Sequence, residues 1–263
     1  MFSGMMVGLF DFSVGARMTL AGLVGIHMSI YFGLPGFIIG TMLASLIFAL
    51  LSGTTYAALK IPAIINGFAA LLIFEALGVI YMNSFSTYLP DSIRIFGKEP
   101  GIYIVTIIMF VIVYIVQNRT KFGYQIQAIG GNEAVAKSMG INTTRLKLGT
   151  FLLGGLFIGV AVLVQIGYTG QIVVYNNMQS LFLIFMPMMG VMIGMYMKSC
   201  NQVVGAIIGS LTITIIGSGM SALSINTKLQ NVVIGVFLLI FIGMQINSNR
   251  MNLKKIIKVK SAK

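Results

Sequence analysis

Apolar stretches close to the ~20 residues that a helix needs to cross a bilayer follow one another along this chain, with only short polar interruptions. About eight can be read, at 16–32, 37–51, 61–82, 101–117, 148–167, 181–197, 202–221 and 229–246. Hydrocarbon offers no hydrogen bonds to the backbone, so uniformly apolar runs of this length satisfy their own N–H and C=O groups as helices. The expected fold class is therefore all-α: a polytopic membrane protein with about eight transmembrane helices, forming one transmembrane domain over 1–248. Composition agrees. Hydrophobic residues make up 57% of the chain and charged ones 8%, whereas soluble domains carry about a quarter charged residues. The first two stretches are short and separated only by Pro35-Gly36, so a broken or re-entrant pair is the alternative to two full crossings.

The net charge of +12 is placed as a membrane protein places it. Arg250, Lys254, Lys255, Lys258, Lys260 and Lys263 crowd a tail at 249–263; Arg119, Lys121, Lys137, Arg145 and Lys147 crowd an interruption at 118–147. The positive-inside rule puts both in the cytoplasm. The interruption at 83–100 balances Asp91 and Glu99 against Arg94 and Lys98 and belongs on the opposite side. Both termini are then cytoplasmic, and the basic tail lies in water or against lipid headgroups. No aromatic and base-reading side chains alternate in the basic segments, so nucleic acid is not an expected partner.

Enzyme chemistry lacks its residues. The chain has five acids, one Cys (Cys200) and one His (His27), too few of those types for a metal site, and no disulfide can form within it. It contains no H-E-x-x-H, no G-x-S-x-G and no P-loop. No catalytic residue, metal or cofactor is expected. Any ATP that drives this chain is bound by another polypeptide.

The polar segment 121–147 is the longest stretch not built for lipid. Within it Asn132 is a good N-cap, Glu133 sits favourably in a first turn and Gly140 supplies a stop. Ala134, Val135 and Met139 can line one face of a helix over 132–139, so short that it needs a docking surface. The run Gly130-Gly131-Asn132-Glu133-Ala134, continuing to Gly140-Ile141-Asn142, closely resembles the coupling segment of sugar permeases in ATP-binding cassette importers of the ribose type. The resemblance implies that Gly130, Gly131, Asn132, Glu133, Ala134, Val135, Met139 and Gly140 rest in a groove of the ATPase subunit. It also implies a second permease subunit, identical or different, an extracytoplasmic sugar-binding protein and residence in a bacterial plasma membrane. The substrate it implies is a pentose or related furanose.

Two further patches carry the same resemblance. Phe10-Asp11-Phe12-Ser13-Val14-Gly15 is similar to the family's G-I-D-L-S-V-G element, and the stretch from Val204 to Leu211 is similar to its closing helices. Asp11 and Ser13 can cap the following helix or contact sugar. Asn66, Gln165, Asn176 and Asn177 are polar groups in or near spans, where sugar contact and interhelical glue are both open readings. Glu75 is an acid within a span, which normally faces a cavity or a partner; snorkelling or a structural hydrogen bond, a salt bridge to another subunit, and substrate contact are its alternatives. Family members often have Arg-Gly where this chain has Glu75-Ala76, and the segments 170–179 and 192–200 diverge as well. These departures imply a specialised copy, such as one half of a heterodimer. A secondary transporter or channel, and a non-transporting scaffold, are the rival readings. Gly155/Gly159, Gly190/Gly194 and Gly205/Gly209 are read as helix-packing pairs.

Overall fold

A computed structural model describes residues 8–197, 201–226 and, apart from 231, 234 and 238, 229–240. The end of the last expected span, Cys200 and the tail at 249–263 lie outside the described residues. Within them the helices are α1 (Val14–Leu59), α2 (Ala63–Met82), α3 (Gly101–Arg119), α4 (Lys121–Gly131), α5 (Glu133–Ser138), α6 (Thr143–Thr169), α7 (Phe182–Tyr196) and α8 (Gln202–Ala222). Short 3-10 turns occupy Asp91–Gly97 and Gln179–Leu181, and the extended pairing among the described residues is one isolated bridge, Tyr88–Gln171. Five helices (α1, α2, α3, α6 and α8) are long and apolar enough to cross a membrane. This is an all-α, multi-pass membrane protein. It forms two compact units, Met1–Ile184 and Phe185–Lys263.

In the first unit α1 is a helical hairpin. Gly33 breaks it at φ 60, ψ −141, a conformation that a side chain resists, and Pro35 lacks the N–H to continue the ladder. The arms 14–32 and 34–59 turn back on each other, so that Ser13 Oγ lies 3.5 Å from Ser52 Oγ while Gly36 packs on Met28. At about 1.5 Å per residue the arms are roughly 28 and 39 Å long, so each is long enough to cross a bilayer, and a tight turn joins them. Close approach requires Gly25, where a β-carbon would overlap Thr41 Oγ1 and Thr41 is fully buried. Gly25→Ala is expected to cost about 1–3 kcal/mol by overpacking and to lower the thermal midpoint in detergent. An unchanged midpoint would mean that the arms do not pack.

The second arm lies along α6. Ser45 Oγ donates to the Gly155 carbonyl at 2.6 Å, and Gly155 and Gly159 face Ala49 and Met42 as their spacing predicts. The core is Leu23, Ile26, Phe37, Val162 and Ile166, closed at one end by Leu89 and Ile93 from the loop. At that end the backbones of Gly97 and Gly167 meet, and Arg94 donates to the carbonyls of Gly167 and Tyr168. Residues 121–147 sit at the other end of α6. The neutral loop and the basic segment thus occupy opposite ends of one helix, as their charges require.

The second unit is held by backbone contact between α7 and α8. A β-carbon on Gly190 would lie 2.6 Å from Ser210 Cα, and Gly194 faces Gly205 and Ala206. Both glycine pairs predicted there are packing pairs. The sixth expected span is a 15-residue helix containing Pro187.

Two boundaries differ from expectation. The segment 118–147 is largely helical rather than a loop, since α4 occupies its first third. Phe122, Ile126 and Ile129 have the helical spacing that marks it. The helix expected from 148 begins at Thr143, because Asn142 accepts from Arg145 N at 3.0 Å and caps it there.

Candidate coupling platform and polar pathway

The basic end of the first unit is a platform built from one apolar cluster. Ile126 and Ile129 of α4, Ala136 of α5, and Leu146 and Phe151 of α6 pack with Leu9 from ahead of α1, with Tyr56 and Ala63 beside them. On this base stands α5, over Glu133–Ser138 rather than 132–139. Its start is Asn132, whose Oδ1 accepts from Ala134 N at 3.0 Å and Val135 N at 3.2 Å. Its end is Gly140 at φ 82, with Gly140 N bonded to Lys137 O at 3.0 Å and Ile141 N to Ala136 O at 3.1 Å. That pair of bonds is a Schellman stop, and Ile141 packing with Ala136 is the apolar contact that goes with it.

The helix turns one residue inward and its apolar residues outward. Ala136 is buried, whereas Val135 is 52% exposed and Met139 75%. Ala134, Gly130 and Gly131 are exposed beside them. A β-carbon on Gly131 would meet no atom within 4 Å, so packing inside this chain does not explain that glycine. Glu133 reaches across to α6, where Oε1 accepts from Lys147 Nζ at 2.7 Å, and the same ammonium lies 3.3 Å from the Tyr56 hydroxyl.

Asp11 and Ser13 do not cap α1. Ser13 stands at the cap position, but its hydroxyl donates to Asp11 Oδ1 at 2.6 Å and makes no capping bond. The other Asp11 oxygen accepts from Arg17, which is 2% exposed. Arg17 is a functional candidate that the sequence reading passed over, although an Arg six residues after an Asp in an apolar stretch was the available signal. Asn66 is interhelical glue: its amide donates to Ser52 O at 3.0 Å and accepts from Thr55 Oγ1 at 2.9 Å.

Glu75 is 5% exposed and neither snorkels nor waits for another chain. Its two oxygens accept from the backbone N–H groups of Met178 and Ser180, each at 2.8 Å. A salt bridge to another subunit is not needed to satisfy this carboxylate, since both oxygens are engaged within the chain. Gln165 is exposed on α6, beside a cavity of about 80 Å³ that Thr19, Thr169, Gln171 and Tyr175 also line. His27 sits among Tyr31, Tyr81 and Phe85, with the Phe85 ring centroid 4.0 Å away.

Comparison with known proteins places this geometry in context. The family described as "Branched-chain amino acid transport system / permease component" matches residues 2–242. The chain is 26% identical over 215 residues to the galactose/methyl galactoside import permease protein of Haemophilus influenzae, covering 79% of this chain and 63% of the relative. It is 25% identical over 249 residues to the ribose import permease protein of the same species, covering 88% and 74%. Over 134 residues it is 32% identical to the xylose transport system permease protein of Escherichia coli, covering 50% and 33%. The chain therefore spans less than two thirds of the galactoside relative's length. No solved structure matches.

Proposed function

Because this chain belongs to the branched-chain amino acid transport system / permease component family, we propose that it is the membrane-spanning permease subunit of an ATP-driven importer in a bacterial plasma membrane. The proposed cargo is a simple sugar, a ribose-like pentose or related furanose, because the relatives that match it carry sugars in their names. The observation that carries the reading is α5: a capped two-turn helix that holds Val135 and Met139 bare to water at the basic end of the bundle. So short a helix with an open apolar face is built to be covered by a partner.

In this reading the ATPase is a separate subunit that grips α5. A second permease, in a homodimer or a heterodimer, completes the path across the membrane. A binding protein delivers sugar at the end where Arg94 ties the 83–100 loop to α6. ATP closure on the basic side then rocks the spans between outward-open and inward-open states.

Orientation is tested with single cysteines in a Cys200→Ser background. A cysteine at Ser92 should react with an impermeant thiol reagent from outside, and one at Ser138 should not. Labelling of the Ser138 position from outside would reverse the topology and remove the coupling role. Uptake is tested in proteoliposomes holding the permease, its ATPase and its binding protein. ATP-dependent entry of ribose, xylose or galactose is expected; entry of leucine and of none of the sugars would overturn the cargo.

A further inference from the structure

The chain between α6 and α7 turns back into the bundle without regular structure until the 3-10 turn at Gln179–Leu181. It leaves α6 at Gly170, where Gly170 O accepts from Leu89 N at 2.9 Å and Ile172 N bonds to Thr87 O at 3.0 Å. It then descends along the helices: Ile172 packs against Gly22, Val174 lies against Gly78, and Ser180 O abuts Gly15 near the start of α1. Glu75, which holds Met178 and Ser180, is seven residues from the end of α2, so the clamp lies about 10 Å inside that span.

Non-helical backbone at this depth persists only where protein buries it or water reaches it. Among the described residues the N–H groups of 173–177 have no protein partner. The side-chain amides of Gln171, Asn176, Asn177 and Gln179 are exposed and likewise unpaired among those residues. Asn177 (φ 52) and Met178 (φ 65) stand in the left-handed region, which a methionine adopts only when its surroundings impose it. The imposed feature is the Glu75 clamp. Residues 170–181 carry no charge, and the one acid beside them has both oxygens engaged.

We propose that residues 170–181 form a water-facing selectivity element, held at membrane depth by Glu75, whose amides on Asn176, Asn177 and Gln179 recognise a neutral polyhydroxylated solute. The inference rests on the importer reading and adds the residues that discriminate. Each amide offers both a donor and an acceptor, the complement of a sugar hydroxyl. A zwitterionic amino acid would leave its hydration for a surface without counter-charges, which is unfavourable. Glu75 is a positioning residue here.

The complete importer in proteoliposomes tests this in two measurements. Single cysteines at Asn176, Gln179 and the apolar, exposed Ile107 of α3 are introduced in the Cys200→Ser background and treated with a charged methanethiosulfonate. The first two should react, slowed by whichever of ribose, xylose or galactose the wild type takes up, and Ile107→Cys should not. Asn176→Ala with Gln179→Ala should raise KM for that sugar about tenfold. If cysteines at 176 and 179 are as inert as the one at 107, the element is buried and the proposal fails. If they react but sugar neither slows them nor shows a changed KM, recognition lies elsewhere, while wild-type sugar uptake leaves the importer reading standing. Wild-type uptake of leucine instead of any sugar overturns the neutral-solute claim and the cargo together.

Discussion

Val135→Asp should abolish ATP-driven uptake while the protein still reaches the membrane. The substitution puts a carboxylate on the bare face of α5, where it costs nothing until the ATPase covers it. Closing an apolar contact over an unpaired charge costs at least about 2 kcal/mol, or roughly a thirtyfold loss of productive docking. ATP hydrolysis should persist but no longer rise with sugar-loaded binding protein. Glu133→Lys reaches the same end differently, by placing two ammonium groups where Glu133 and Lys147 now pair. Glu133 is half exposed, so the pair adds no more than about 1 kcal/mol to stability, and its loss should be read in coupling rather than in yield. Uptake at wild-type rates in both variants would reduce α5 to a solvated turn.

The second large effect concerns the ion pair of Asp11 and Arg17. Arg17→Met leaves a largely buried carboxylate without its partner, and Asp11→Asn leaves the guanidinium, which has further unpartnered nitrogens. Breaking a buried pair from either side costs about 3–5 kcal/mol, whereas replacing both members with apolar residues is close to neutral. Each single variant should therefore lose most of its detergent-stable protein, and Asp11→Leu with Arg17→Met should recover much of it. The thermal midpoint and the yield of monodisperse protein are the measurements. Single variants as stable as the wild type would mean that water reaches the pair.

Local signals in this chain were legible and distant partners were not. Asn132 and Gly140 announce the ends of α5 because caps and left-handed stops are decided within a few residues. The charge asymmetry between 83–100 and 118–147 likewise needs no fold to be read, and α6 separates those segments as it requires. Glu75 shows the opposite case. Its acidity within a span was visible, but its partners are backbone N–H groups more than a hundred residues away, and a backbone group leaves no mark in a sequence. Asp11 and Ser13 look like a helix cap until Arg17 is seen to claim the carboxylate. The helix α4 was hidden by its polar residues, although Phe122, Ile126 and Ile129 carry its period.

The seating of α5 has a mechanical consequence. It shares its apolar base with the N-terminal half of α6, and the pair of Glu133 with Lys147 pins the two together. At its far end α6 is fastened to the 83–100 loop by Arg94 and by the Gly97–Gly167 contact. One stiff rod of 27 residues thus runs from the base of α5 to the 83–100 loop. At about 1.5 Å per residue it is roughly 40 Å long, and a tilt of about 5° at one end sweeps the other by about 3.5 Å. In the proposed importer, a push on α5 is carried along this lever to the 83–100 loop with little lost to slack.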